Sequence, residues 1–356
     1  MDEQKIVELE VRVHGIDALE LAKAKADQYK ADGNEAAYKR ALRRVKLTEE
    51  QIEKDAEETA RKSAVRPETS PLFAGLTNVI INGESFEIAE GICLESIFAH
   101  VMAPYIIAFS PGEAGKPHPG PWKAASGGLG FDVKVQISLG VKARPTNFDR
   151  LNTLWWVASL LRLQHSTGIR TPVISDTCFR SAASSTSDPV FWPIELDKRG
   201  IAFDGYESDF VIPNSTLQWI RLNFKPGAEL MDDTKFNLAY RALESAQRAS
   251  SLAEALILIW SSIEALIRPG SKNLGHKLSL GVATYLEPNL SARDKLYGHA
   301  RELYKARGKV THAAEPPSLK VVVDSFNLAR RCYLKTIEQR ETPIFSELES
   351  QWKCKA

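Results

Sequence analysis

Leu252 to Ile267 is the most apolar run in the chain, and it limits what the rest can become. Leu256, Ile259, Trp260, Ile263 and Leu266 fall at helical spacing, Ser251-Leu252-Ala253-Glu254 is a capping box that starts the helix, and Arg268-Pro269-Gly270 ends it. The run holds Glu254 and Glu264 and is shorter than the roughly 20 residues that cross a bilayer, so it reads as a buried helix. A helix this apolar needs other helices around it.

Its neighbours in sequence supply them. Asp232 or Asp233 caps a helix bearing Phe236, Tyr240, Leu243 and Ala246, and Asn273 opens one through Leu278, Val282 and Leu286 that Pro288 stops. Ser291-Ala292-Arg293-Asp294 reads as another capping box, leading into Leu296, Ala300, Leu303 and Tyr304. After Pro316-Pro317 a last helix holds Leu319, Val322, Val323, Phe326, Cys332 and Ile337. Residues 232–341 therefore read as an up-down helical bundle, with 342–356 as a tail.

Upstream the character differs. Residues 1–66 are rich in Ala, Lys, Glu, Arg and Gln, and Gly33-Asn34 divides them into a charged helical hairpin or arm with a stripe at Tyr38, Leu42, Val45 and Ile52. Arg66-Pro67 through Ser70-Pro71 marks a boundary, after which 70–230 reads as a mixed, strand-rich α/β sensor or regulatory domain. Within it, Thr77–Ile81 and Ser85–Ala89 flank Asn82-Gly83 as a hairpin, and Phe131–Leu139 alternates as a half-buried strand. Thr146-Asn147-Phe148-Asp149 caps a helix to about Gln164, and further strands are expected at Thr171–Ile174, Val190–Leu196 and Leu217–Asn223. Pro111–Gly130 reads as a Pro/Gly-rich loop in which His118 and Trp122 can meet a ligand, Trp122 by stacking on a base. The fold class is α+β.

With 356 residues and a formal charge of +1, nucleic-acid contact has to come from a local basic patch. The cysteines, Cys93, Cys178, Cys332 and Cys354, are scattered without metal-ligand or disulfide spacing, which fits a reducing cytoplasm. The charged N-terminus, Met-Asp-Glu-Gln-Lys, leads into no apolar signal core, and no membrane association is expected.

The chemistry-bearing stretch is Leu303 to His312. An arginine grips phosphate through paired N–H bonds, a histidine moves a proton near neutral pH, and Lys305 and Lys309 add local positive charge for phosphates. Arg307 and His312 diverge on a regular helix, so a break at Gly308 is expected between them. Glu264, a carboxylate among apolar neighbours, needs a partner, and Arg307 can provide it.

Trp260-Ser261-Ser262-Ile263-Glu264-Ala265-Leu266, Lys277-Leu278-Ser279-Leu280, Leu303-Tyr304-x-x-Arg307-x-x-Val310-x-His312 and a closing amphipathic helix follow one another in that order. Over residues 234–340 this order resembles the HEPN domain family, in its Apea-like branch. The resemblance implies a HEPN-like helical bundle and a metal-independent endoribonuclease of prokaryotic defence or toxin type. It also implies a homodimer through the C-terminal bundle, in which Arg-x-x-x-x-His segments of two chains form one site. His312 would be the general base or acid, Arg307 would hold the scissile phosphate, and Glu264 would support Arg307. No cofactor or metal is implied, and RNA is the partner, with room for a regulatory or antitoxin partner. The expected products are a 2′,3′-cyclic phosphate and a 5′-hydroxyl. In many active members of that wider family a polar residue follows the arginine, where this chain has Gly308. The alternatives are a catalytically inactive bundle that binds RNA or nucleotide or merely dimerises, and a scaffold whose true binding surface is the Trp122 loop.

Overall fold

The computed structural model of the chain describes residues 17–62, 70–111, 121–185, 189–193, 203, 209–270 and 272–353. They fall into two compact units, Met1–Arg66 and Pro67–Ala356.

The first unit is the expected helical hairpin, α1 (Asp17–Ala31) against α2 (Glu35–Lys62). Gly33 makes the turn at φ 67°, a conformation open to glycine, and the Asn34 side chain accepts the Ala37 N–H as an N-cap. Ala22, Ala26, Ala41 and Thr48 line the seam and Lys23 pairs with Glu49 across it, but Leu42 of the expected stripe is 45% exposed.

The second unit holds a mixed strand-rich region and an all-α bundle. Its strands are β1 (Leu72–Thr77), β2 (Val79–Ile81), β3 (Ser85–Ala89), β4 (Ile92–Ala108), β5 (Trp122–Leu139), β6 (Arg170–Ser175), β7 (Phe191–Pro193) and β8 (Phe210–Ile212). Six form an antiparallel sheet in the order β3-β4-β5-β1-β6-β7, while β2 and β8 pair in parallel. The hairpin expected across Asn82-Gly83 therefore does not form. β3 turns at Glu90-Gly91 to pair with β4 instead, because burying Val79 and Ile81 against β8 takes β2 out of the sheet. The loop expected over Pro111–Gly130 is also shorter: Trp122 to Gly130 belongs to β5, and Trp122 lies opposite Ala108, 57% exposed. His118 and the remainder of Val190–Leu196 beyond Pro193 lie outside the described residues.

The helices are α3 (Arg150–Gln164), α4 (Asn214–Leu230), α5 (Thr234–Ala246), α6 (Leu252–Ile267), α7 (Leu274–Leu286), α8 (Leu290–Ala313), α9 (Leu319–Gln339) and α10 (Phe345–Lys353). Leu217–Asn223, expected as a strand, is helical within α4: Leu217, Ile220, Phe224 and Ala228 are buried at i, i+3, i+7 and i+11, and that period outweighs the Pro226-Gly227 breaker. The Ser251 and Asp233 caps form as expected. Two others shift. Asp149 rather than Thr146 caps α3, and Asn289 rather than Ser291 caps α8. The segment taken as a tail contains α10, which packs Leu348 into the bundle.

α3 joins the sheet region to the bundle. Apart from Leu151 and half-buried Asn152, Trp155 and Gln164, its side chains are buried, so its polar groups must find partners inside. Trp156 Nε1 donates to the Phe224 carbonyl, the Ser159 and Tyr240 hydroxyls share a 2.8 Å hydrogen bond, and Arg162 Nη2 meets Glu244 Oε2 at 2.7 Å. Burial pushes the Glu244 carboxyl up, but the Arg162 guanidinium outweighs it and holds the group below its ordinary value. A depressed carboxylate contributes stability above its unfolded value of 4.5 and loses it as pH falls through the folded one. Glu244→Gln is expected to lower unfolding free energy by about 3–5 kcal/mol at pH 7, with a deficit that shrinks as pH falls below 4.5, by denaturant melts. An unchanged midpoint at pH 7 would contradict the role given to this pair.

Candidate functional site

α8 carries the stretch singled out in the sequence. It is a basic helix, with Arg293, Lys295, Arg301, Lys305, Arg307 and Lys309 against Asp294 and Glu302. Ala300 and Leu303 seat it on the bundle, and buried Arg293 ties its first turn to the carbonyls of Glu287, Pro288 and Gln351.

The break expected at Gly308 is absent. α8 runs unbroken to Ala313, where Ala314 takes a left-handed cap at φ 53°. Interrupting the helix would leave carbonyls unpaired, whereas one interior glycine costs only about 1 kcal/mol. The Thr311 hydroxyl also lies 3.2 Å from the Arg307 carbonyl oxygen and 3.1 Å from that of Gly308. Arg307 and His312 are thus about 140° apart around one continuous helix, and they do not converge.

Arg307 points to the bundle. Its Nη2 is 3.7 Å from Glu264 Oε1, an ion pair rather than a hydrogen bond, and its guanidinium lies 5.7 Å from the Tyr304 ring centroid. The Tyr304 hydroxyl donates to the same Glu264 oxygen at 3.1 Å, and its ring packs edge-on to Trp260 at 5.1 Å. Burial, followed by the Glu264 charge, raises the Tyr304 phenol above its ordinary value, so it stays a protonated donor. The Glu264–Arg307 pairing expected from the sequence is therefore present, on α6 and α8. Arg307 Nε is buried without a hydrogen-bond partner among the described residues.

His312 is exposed in the last turn of α8 and is not part of this cluster. Lys305 is paired with Glu302 at 2.7 Å, and Lys309 with Glu315 at 3.2 Å. Both lysines are more than half exposed, so solvent screens each pair and it yields readily to a phosphate.

A second set of groups lies on a face of α8 other than that of Arg307. Tyr297, Arg301, Tyr304 and Lys305, together with Asn273 to His276 at the start of α7, line a groove of about 650 Å³. Sequence reading missed His276, Tyr297 and Arg301, although Tyr297-x-x-x-Arg301-x-x-x-Lys305 is a one-face spacing of the kind that marks a helical stripe. Among the described residues no group of three or more His, Cys, Asp or Glu side chains is placed to hold a metal ion, and no helix is long and apolar enough to cross a membrane. No family model, curated protein or solved structure matches the chain.

Gly308 has nothing within 4 Å of where a Cβ would stand, and it is helical. Gly308→Ala is expected to stabilise the protein by about 0.5–1 kcal/mol, read as a raised midpoint in denaturant unfolding. A lowered midpoint would mean that the backbone at Gly308 is not the helix described.

Proposed function

We propose that this chain is a metal-independent endoribonuclease of HEPN type that works as a homodimer through its helical bundle, in a prokaryotic defence or toxin setting. The observation that carries the proposal is the angle between Arg307 and His312 on an unbroken α8. One chain cannot bring both onto one phosphate, but a two-fold pair of α8 helices can set Arg307 of one copy beside His312 of the other. Three features support the reading. α8 concentrates six basic residues in a chain of formal charge +1, Glu264 and Tyr304 hold Arg307 in a fixed orientation, and His312 is exposed at the helix end.

In this reading His312 takes the proton from a ribose 2′-hydroxyl and the 2′-oxygen attacks the adjacent phosphorus. The P–O bond to the 5′-oxygen breaks, and that oxygen leaves with a proton handed on by the protonated His312 or taken from water. Arg307 stabilises the extra negative charge on the phosphorane, and Lys305 and Lys309 hold flanking phosphates. RNA supplies its own nucleophile, so the step needs no metal-activated water. The strand-rich region would sense a trigger or restrain the nuclease.

A second reading, a HEPN bundle that binds RNA or nucleotide without cutting it, is favoured by one observation. The Arg307 side chain is only 21% exposed in its contact with Glu264. Incubation of single-stranded RNA and tRNA with wild type in chelator separates the two. The nuclease yields 2′,3′-cyclic phosphate ends, and His312→Ala or Arg307→Ala each slows cleavage about 10²–10⁴-fold. Equal cleavage by all three proteins, or loss with chelator, contradicts the mechanism; RNA binding without cyclic-phosphate products selects the second reading.

A further inference from the structure

The groove between the start of α7 and the Tyr297–Lys305 face of α8 has a chemistry of its own. His276 Nδ1 lies 2.8 Å from the Tyr297 hydroxyl, which also accepts from Arg301 Nη1 at 3.4 Å. The Tyr297 ring stands edge-on to His276 at 5.8 Å and tilted against Trp352 at 5.2 Å, so the aromatic wall is fixed from both sides. The floor is Tyr304, held there by Glu264, and it comes so near Gly275 that an added Cβ would sit 2.9 Å from its ring.

Two cations face this space. Lys305 is engaged only with exposed Glu302, and Arg301 forms no ion pair within 4.0 Å among the described residues. A half-buried guanidinium that feels the Glu302 charge without forming an ion pair among the described residues, beside a lysine and an aromatic wall, is suited to a phosphate carrying a ring. Asn273 begins α7 without a side-chain cap, so first-turn N–H groups at the groove edge add to the same preference.

The groove is also continuous with the catalytic end of the helix. Residues 297, 301, 304, 305, 308 and 312 fall on one side of α8, since their angular positions lie within about 100°. Arg307 falls outside this band. Gly308 leaves the track between Lys305 and His312 uncovered, with nothing within 4 Å of its missing side chain. Arg301 and His312 are separated by about 16 Å along the axis, a length that a short single strand can span.

The geometry points to a nucleotide-binding subsite in this groove, separate from Arg307 and His312. Arg301 and Lys305 receive a phosphate, while His276 and Tyr297 contact the attached ribose and base. The ligand class rests on the RNA reading, but the subsite does not depend on cleavage. The same chemistry is offered by a unit of an RNA strand and by a free nucleotide.

Binding is therefore measured in the His312→Ala protein, by fluorescence anisotropy, with a labelled 12-nucleotide single-stranded RNA and separately with a labelled ADP. Arg301→Ala is expected to weaken binding about tenfold and to reduce the salt slope for RNA by about 0.7, one phosphate contact. Arg301→Lys should recover part of the loss, and thermal melts should show that all variants fold. Arg301-dependent binding of RNA alone assigns the groove to a strand, and Arg301-dependent binding of ADP assigns it to free nucleotide; both support the subsite. If neither probe binds, or both bind equally well to Arg301→Ala, the subsite is overturned. Arg301-dependent binding by a protein whose wild type makes no cyclic-phosphate ends would leave the subsite standing and remove the nuclease.

Discussion

The second unit depends on an ion pair placed where neither partner could stand alone. Arg162 and Glu244 are each about 5% exposed, one on the helix under the sheet and the other on the first helix of the bundle. Either charge left unpaired at that depth would cost several kcal/mol, so the two helices are confined to arrangements that bring them together. Around the pair, the Ser159–Tyr240 hydroxyl contact, the Trp156 indole on α4, and Arg330 of α9 on the carbonyls of Leu163 and His165 fix the same docking. Strand-rich and helical parts are thereby one compact unit.

The site inherits its geometry from that docking. α5 packs on α6, α6 carries Glu264, and Glu264 in turn holds Tyr304 and Arg307 of α8. Glu264, on the most apolar helix, thus separates two faces of α8. Arg307 is turned towards the bundle, and the face carrying Arg301, Lys305, Gly308 and His312 is left uncovered. Cys332, in the same core, is pushed up to about 12 by burial and stays a thiol, packing as a small apolar group.

What the sequence made legible was local. Ser251 and Asp233 act where they were expected, because a cap is decided by neighbours two or three positions away. The need of Glu264 for a partner followed from apolar neighbours in its own helix. The misreadings share a different cause. Leu217–Asn223 is too short to reveal its period, and only burial against Trp156 and the bundle shows it to be helical. The hairpin at Asn82-Gly83 failed because β2 found β8, some 130 residues away, and no turn dipeptide reports a distant partner. Gly308 looked like a break because propensity was weighed without the hydrogen bonds of the surrounding helix. The groove stayed hidden because half of it, Asn273 to His276, comes from another helix.

On an unbroken α8 the proposed nuclease requires a second copy, since Arg307 and His312 diverge by about 140° on one helix and would share a phosphate across a dimer. Mixing equal amounts of Arg307→Ala and His312→Ala protein under conditions that exchange subunits tests this most directly. The mixed dimer has one site with both side chains intact, so RNA cleavage should return to about a quarter of wild type although each variant alone is inactive. A mixture no more active than its components, with subunit exchange demonstrated and wild type active, would contradict a site composed from two chains.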